Sequence, residues 1–276
     1  MEEKIKMILE YNQFKNYLDK KIKSGEDFYL ELLETVIKYP SRYCGLFRLS
    51  NAKTKLIQNV TQSKEIKFGD FMEDISTEYI KLIGYENLHK DLGEDENGDR
   101  LNCDQLFRKG TTIYFVEQKV RDDHDSTKKR GQYENFCKKV KLIKKKFSSY
   151  HIIAIMWFID DNFEKNKNYY AEQIKTTKFE NTELHLYYGG EFFCSLDNGK
   201  LVWDEIIEYL TRIRMENSSD IFTIPDFGTN DEIYKALLKL PHNYWKKLIS
   251  NDTKYELLRK ELFSNGDNIE KAKKNR

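Results

Sequence analysis

The sequence predicts a mixed α/β fold: a central sheet of about five strands flanked by helices, with helical regions at both ends. Three observations predict it. Residues 102–120 read as a hairpin rich in β-branched and aromatic side chains. Residues 152–159 are continuously apolar, as in a strand buried on both faces. Stripes of apolar residues at helical spacing precede and follow these strands, an order that favours helices layered on a sheet.

Residues 1–38 read as helix, because Met7, Tyr11, Phe14 and Leu18 recur at spacings of three and four, as do Phe28, Leu32, Leu33, Val36 and Ile37. Residues 39–67 are mixed and polar and receive no assignment. A helix is predicted over 68–83, with Phe71, Ile75, Tyr79 and Leu82 on one face and Gly84 as its stop. The acidic, turn-forming stretch 91–99 reads as a loop.

Strands are expected at 102–108 and 111–120 around a Lys109-Gly110 turn, with a polar loop over 121–127. A basic helix starts at Lys128 or Gly131 and runs to Phe147, with Phe136, Val140, Ile143 and Phe147 on its apolar face. Strand 151–159 follows, then two short strands at 184–188 and 191–196 on either side of Gly189-Gly190. From Trp203 the pattern is helical, and the tail from Asn265 reads as frayed. The implied division is a helical region 1–67, a core 68–200 and a helical region 201–276, within one compact domain.

Composition bounds the possibilities. In 276 residues, 39% hydrophobic content with 18 Tyr and 17 Phe supports a real core and excludes disorder over most of the length. The longest apolar run falls far short of the roughly 18 residues of a membrane span. The start, Met1-Glu2-Glu3-Lys4, lacks the pattern of a secretory signal. Four scattered cysteines with no Cys-x-x-Cys pair argue against a zinc site or a disulfide framework, so a cytoplasmic protein is expected.

The net charge of +1 hides an asymmetry: residues 119–147 hold 11 Lys and Arg against 4 Asp and Glu, and the remainder is net acidic. A local basic stretch implies an anionic partner bound at one place.

The chemistry concentrates at the end of the strongest strand. Side chains alternate across a strand, so Ile113, Phe115, Glu117 and Lys119 share a face that begins apolar and ends in a carboxylate beside an ammonium. If the hairpin pairs symmetrically about its turn, residues whose numbers sum to about 219–223 face each other, which sets Asp104 within reach of Glu117. Two adjacent carboxylates repel unless a cation lies between them. A hard divalent ion such as Mg²⁺ takes one or two carboxylates, keeps waters and binds phosphate. Lys119 can orient or deprotonate an attacking water and offset transition-state charge, a combination suited to phosphodiester hydrolysis. The pattern Asp/Glu-x-Lys occurs five times in the chain, and taken alone a surface Glu–Lys pair is its commoner explanation. Only Glu117-x-Lys119 ends an apolar strand with an Asp on the preceding arm.

Asp104 followed by Glu117-Gln118-Lys119, on a hairpin leading into a helix and a buried strand, resembles the PD-(D/E)XK nuclease superfamily. The run from Glu117 to Gln132 looks like the active-site segment of type II restriction endonucleases, and the resemblance covers roughly residues 68–195. It implies a restriction-endonuclease-like fold in which Asp104 and Glu117 bind Mg²⁺ and Lys119 assists the water; the Gln118 backbone carbonyl is a candidate further ligand. Cys103 stands where the family pattern has Pro, and Gln118 is polar where an apolar residue is usual. Asp99 is a second candidate for the Asp role. Glu73 or Glu78, on the preceding helix, is a candidate for a further metal-site acid.

Arg121, Ser126, Thr127, Lys128, Lys129, Arg130 and Gln132 are candidate DNA contacts, since such side chains bind phosphate oxygens and fix register on a duplex. The alternative is a solvated loop with a helix N-cap at Asp125 or Ser126. His124 is a weaker candidate base. Lys138, Lys139, Lys141, Lys144, Lys145 and Lys146 form either a solvated helix face or a surface that steers DNA. Tyr244 and Trp245, beside Lys246 and Lys247, fit a core position better than a DNA contact. The expected activity is a Mg²⁺-dependent, sequence-specific cut in double-stranded DNA by a type II restriction enzyme, most naturally a homodimer matching a palindromic site. The rivals are a repair or transposon-type nuclease of the same fold and a DNA-binding module that does not cut.

Overall fold

The computed structural model describes residues 7–22, 25–45, 47, 49–216 and 225–276. In chain order its helices are α1 (Tyr11–Lys21), α2 (Gly25–Lys38), α3 (Ala52–Leu82), α4 (Ser126–Lys146), α5 (Lys167–Thr176), α6 (Glu191–Cys194), α7 (Gly199–Glu216), α8 (Asp231–Lys239), α9 (His242–Leu248), α10 (Thr253–Leu262) and α11 (Asn268–Asn275). Its strands are β1 (Glu86–Asn87), β2 (Asp91–Glu94), β3 (Arg100–Asn102), β4 (Gln105–Lys109), β5 (Thr112–Lys119), β6 (His151–Phe158) and β7 (Thr182–Tyr188).

The chain forms two units, one of residues 1–17 and 69–216 and one of residues 18–68 and 217–276. The helical segments 1–67 and 201–276 therefore each contribute to both.

The first unit is built on a five-stranded mixed sheet of order β1-β4-β5-β6-β7. The β1–β4 and β4–β5 pairs are antiparallel, while β5–β6 and β6–β7 are parallel. The hairpin register agrees with the symmetric expectation: Gln105 faces Val116 and Lys109 faces Thr112, each pair summing to 221. Gly110 turns the hairpin at φ 57°, a conformation that favours glycine.

One face of the sheet carries Leu106, Ile113, Phe115, Ile152, Ala154 and Met156 against Phe136, Val140 and Ile143 of α4. On the other face, Phe107 stacks on Tyr114, and Trp157 packs on Phe192. Gln105 ties β4 to α3 through the Glu73 carbonyl at 2.7 Å. Nearby, Phe14 of α1 packs edge-on to Phe71 of α3 and Tyr209 of α7.

The second unit is helical. Leu33, Val36 and Ile37 of α2, Ala52, Leu56 and Val60 of α3, and Ile233, Leu237, Leu248, Leu258 and Leu262 of the C-terminal helices share one core. No helix among the described residues is long and apolar enough to cross a membrane.

Several elements differ from the sequence expectations. The N-terminal helix is two helices, because Gly25 adopts φ 61° at the start of α2; Met1–Lys6, Lys23 and Ser24 lie outside the described residues. The predicted 68–83 helix begins at Ala52, where the Asn51 side chain accepts the Thr54 N–H at 2.8 Å. Sparse apolar spacing hid that N-terminal half.

Residues 91–99 are not wholly loop. β2 and β3 make a two-stranded ribbon whose turn is held by the Asp95 carboxylate on the Asn97 and Asp99 N–H groups. The basic helix starts earlier than predicted, at Ser126, because the Asp125 side chain caps it by accepting from Thr127 and Lys128 N–H. The expected strand 191–196 is instead α6, which buries both Phe192 and Phe193 after the Gly189 turn at φ 53°. α5 had no counterpart in the prediction.

The C-terminal tail is not frayed. Asn268 bonds the Phe227 and Asn230 carbonyls, and the Arg276 guanidinium bonds the carbonyls of Leu237 and Leu240.

Candidate active site

The expected strand at 102–108 is interrupted at Cys103 and Asp104, and this break builds the site. β4 begins only at Gln105. One residue earlier, Asp104 meets β5 with its side chain: its Oδ2 accepts the Gln118 N–H at 2.6 Å. The carboxylate is thereby fixed at the end of the sheet. Lys119 Nζ donates to Glu117 Oε1 at 2.9 Å, to the Gln118 carbonyl at 2.8 Å and to Asp104 Oδ2 at 3.4 Å. Asp104, Glu117, Gln118 and Lys119 are thus brought together around one point.

A fourth charged group completes the cluster. Lys139 of α4 is 6% exposed, and its Nζ donates to Glu117 Oε2 at 2.6 Å. Each oxygen of Glu117 therefore faces its own ammonium. The sequence reading grouped Lys139 with a solvated or DNA-steering lysine run and missed this role. The signal was present: position 139 is three after Phe136 and four before Ile143, inside the apolar stripe of the helix.

The electrostatics follow from burial and these contacts. Burial and the neighbouring Glu117 raise the Asp104 carboxyl above its ordinary value, against the pull of Lys119. Burial also works against ionisation of Glu117, but Lys119 and Lys139 outweigh it and hold the group below the ordinary glutamate value. Burial disfavours the Lys119 ammonium; Glu117 and Asp104 overcome this and raise its pKa.

The donor set fits a hard divalent cation. Two carboxylate oxygens and one carbonyl oxygen surround the Lys119 ammonium, and all are oxygen ligands of the kind Mg²⁺ takes. Among the described residues no cluster of three or more His, Cys, Asp or Glu forms a metal site. Two carboxylates with waters and substrate phosphate suffice for Mg²⁺.

Of the other acids, Glu73 lies near the site and is bonded to Lys90 at 2.7 Å. Burial is the main influence raising its pKa, and the Asp104 charge contributes. Glu78 instead accepts from Tyr17 Oη at 3.4 Å, and Asp99 is exposed on the β2–β3 turn, where its N–H donates to Asp95.

The segment after β5 divides by position. Ser126, Thr127, Lys128 and Arg130 are exposed in the first turns of α4, while Lys129 lies over the Tyr169 ring at 4.6 Å. Arg121 lies over Phe163 at 5.3 Å. The Gln132 amide oxygen accepts from Tyr170 Oη at 2.8 Å, which ties it into the fold. His124 is partly buried beside Asp123 at 3.3 Å, and burial followed by Lys128 lowers its pKa. Within the lysine run, Lys138 reaches Asp95 at 3.3 Å and Lys146 reaches the Asp91 carbonyl at 3.0 Å. Trp245 is buried in the helical core, and Tyr244 packs against it.

Asp122 was not anticipated. It is fully buried and accepts from Asn166 N at 2.7 Å, Asn166 Nδ2 at 2.8 Å and Tyr188 Oη at 3.0 Å. It pins the segment between β5 and α4 to the C-terminal end of β7. Its partners come from distant parts of the chain, so no local pattern marks it.

Residues 85–214, a little under half of the chain, match the family model described as HinfI, type II restriction endonuclease. The matched stretch contains Asp104, Glu117, Lys119 and Lys139 and leaves out Glu73 and the second unit. No curated protein and no solved structure matches the chain. The family match supports a type II restriction endonuclease, and the mixed five-stranded sheet flanked by helices is consistent with a restriction-endonuclease-like α/β fold.

Proposed function

We propose that the chain is a Mg²⁺-dependent endonuclease of the PD-(D/E)XK type that cuts double-stranded DNA at a specific sequence, as part of a restriction–modification system in the cytoplasm. The observation that carries this reading is the meeting of Asp104 Oδ2, Glu117 Oε1 and the Gln118 carbonyl on Lys119 Nζ, within the stretch that matches the restriction endonuclease model.

Asp104, Glu117 and the Gln118 carbonyl would hold the metal. When bound, Mg²⁺ supplies charge stabilisation for the phosphate and acidifies a water. Lys119, with its pKa raised by the two carboxylates, is an ammonium donor that orients the attacking water and offsets charge on the phosphate oxygens. The water oxygen gives up a proton to solvent and forms a new bond to phosphorus, while the opposite phosphorus–oxygen ester bond breaks in line and its oxygen takes up a proton from solvent to leave as a hydroxyl. Lys139 holds the Glu117 carboxylate from behind. The exposed residues Ser126, Thr127, Lys128 and Arg130 contact backbone phosphates and fix register, together with Arg121, Lys129 and Gln132 as their ring and hydroxyl contacts rearrange. A homodimer would present two such sites to a palindrome.

The test is incubation of the purified protein with phage DNA, in Mg²⁺ and in EDTA, beside Lys119→Ala. Discrete Mg²⁺-dependent fragments that vanish in the variant support the reading, and mapping their ends gives the site. A Mg²⁺-dependent smear would replace it with a repair-type nuclease. DNA left intact across divalent metals would leave a binding module.

A further inference from the structure

The second unit, outside the matched stretch, carries a groove whose walls alternate cations with aromatic rings. It lies between the end of α2, with the 3₁₀ turn Pro40–Arg42 that follows, and the α9–α10 region; it is open along its length, with a volume of about 560 Å³. Lys38, Tyr39, Arg42, Lys247, Lys254 and Tyr255 line it. The turn is held there because Tyr255 Oη bonds the Ile37 carbonyl at 3.2 Å, and because Pro40 and Tyr43 are buried.

All four cations are exposed, and each leans on an aromatic face. Arg42 lies 4.3 Å and Lys38 5.2 Å from the Tyr39 ring centre, Lys247 5.8 Å from Tyr244 and Lys254 5.3 Å from Tyr255. Among the described residues no carboxylate pairs with Lys38, Arg42 or Lys247; Lys254 alone has one, Asp252 at 2.9 Å. Several surface cations elsewhere in this unit are paired with carboxylates: Lys53 with Asp226, Lys239 with Glu26, Lys271 with Asp267 and Lys273 with Glu270. Three uncommitted cations from two separate chain segments along one open groove suit an extended polyanion. A small anion would call for an enclosed site with buried donors.

We propose that this groove binds the sugar–phosphate backbone of DNA, giving the protein a second DNA-contacting surface besides the catalytic unit. The choice of DNA as the polyanion rests on the nuclease reading. Lys38, Arg42 and Lys247 contact phosphates, and Tyr39, 39% exposed, packs on the backbone between them. Such contacts position a duplex without reading its sequence.

The experiment measures affinity of the full-length protein for a DNA duplex in EDTA across a series of salt concentrations. It compares wild type with the combined variant Lys38→Gln, Arg42→Gln, Lys247→Gln, and with a charge-matched control, Lys271→Gln, Lys273→Gln, Lys274→Gln on α11. Each lost phosphate contact lowers the slope of log K against log[salt] by about 0.9. The groove variant is expected to lose about 2–3 from the slope and to bind tens of times more weakly at low salt, with an unchanged melting temperature, while the control keeps the wild-type slope. A groove variant with the wild-type slope, a control that falls equally, or a wild type that does not bind DNA overturns the proposal. Binding is read without cleavage, so a protein that binds through the groove but never cuts defeats the nuclease reading alone. One that cuts with the groove variant's slope intact defeats the groove alone.

Discussion

Lys139 Nζ sits 2.6 Å from Glu117 Oε2, and both side chains are 7% exposed. A helix packed on the sheet thus delivers a second buried ammonium to the carboxylate that Lys119 holds from the other side. Removing one partner of a buried ion pair leaves the other charge poorly compensated. Lys139→Met is therefore expected to destabilise the metal-free protein by about 3 kcal/mol, and Lys139→Arg by much less. Urea unfolding in EDTA checks this; equal stability of Lys139→Met and wild type would show that the pair contributes nothing.

The two carboxylates are expected to give opposite pH dependences. Asp104 has a raised pKa in the fold, so its contribution to stability is complete below the ordinary aspartate value of 3.8 and is lost as pH rises through the folded value. Glu117 has a lowered pKa, so its contribution is present above the ordinary glutamate value of 4.5 and is lost as pH falls through the folded value. Unfolding free energy followed from acid to neutral pH should rise relative to wild type at the upper end for Asp104→Asn and fall there for Glu117→Gln. Changes of the same sign would contradict this assignment.

A divalent ion that binds the ionised pair should stabilise the fold. At a concentration one hundred times its dissociation constant the gain is about 2.7 kcal/mol. Thermal unfolding with Ca²⁺ or Mg²⁺ should show this shift in the wild type and little of it in Asp104→Asn. An equal shift in both would place the ion elsewhere.

Lys119→Ala should retain DNA binding and lose cleavage by about 10²–10³-fold, the scale of removing one transition-state donor. Single-turnover cleavage of a mapped substrate measures it. A loss confined to affinity would make Lys119 a binding residue only.

Asp122→Ala should destabilise the protein by about 2–4 kcal/mol, because three donors lose a charged acceptor in a site closed to water. Chemical denaturation reads the loss, and Asp122→Asn should recover part of it. A change near zero would mean that water replaces the carboxylate.

Periodicity made the central part of the fold legible. The alternation in β5 placed Ile113, Phe115, Glu117 and Lys119 on one face, and symmetry about Gly110 predicted the register in which Gln105 faces Val116. The same pattern put Asp104 near Glu117. It did not reveal that β4 stops one residue short, so that Asp104 bonds the Gln118 N–H with its side chain. Long-range packing also decided α6, where Phe192 and Phe193 are both buried and Trp157 packs against both rings.

What the sequence by itself determined was the local content: which residues alternate, which stripe is apolar, and where two carboxylates and a lysine end a strand. Tertiary structure alone decided which lysine is buried and which carboxylate is pinned. Lys139 and Asp122 take their roles from partners 22 and 44 residues away, Glu117 and Asn166. A charge is stabilised in a buried position only by groups that the whole fold carries to it, so its environment cannot be read from its neighbours along the chain.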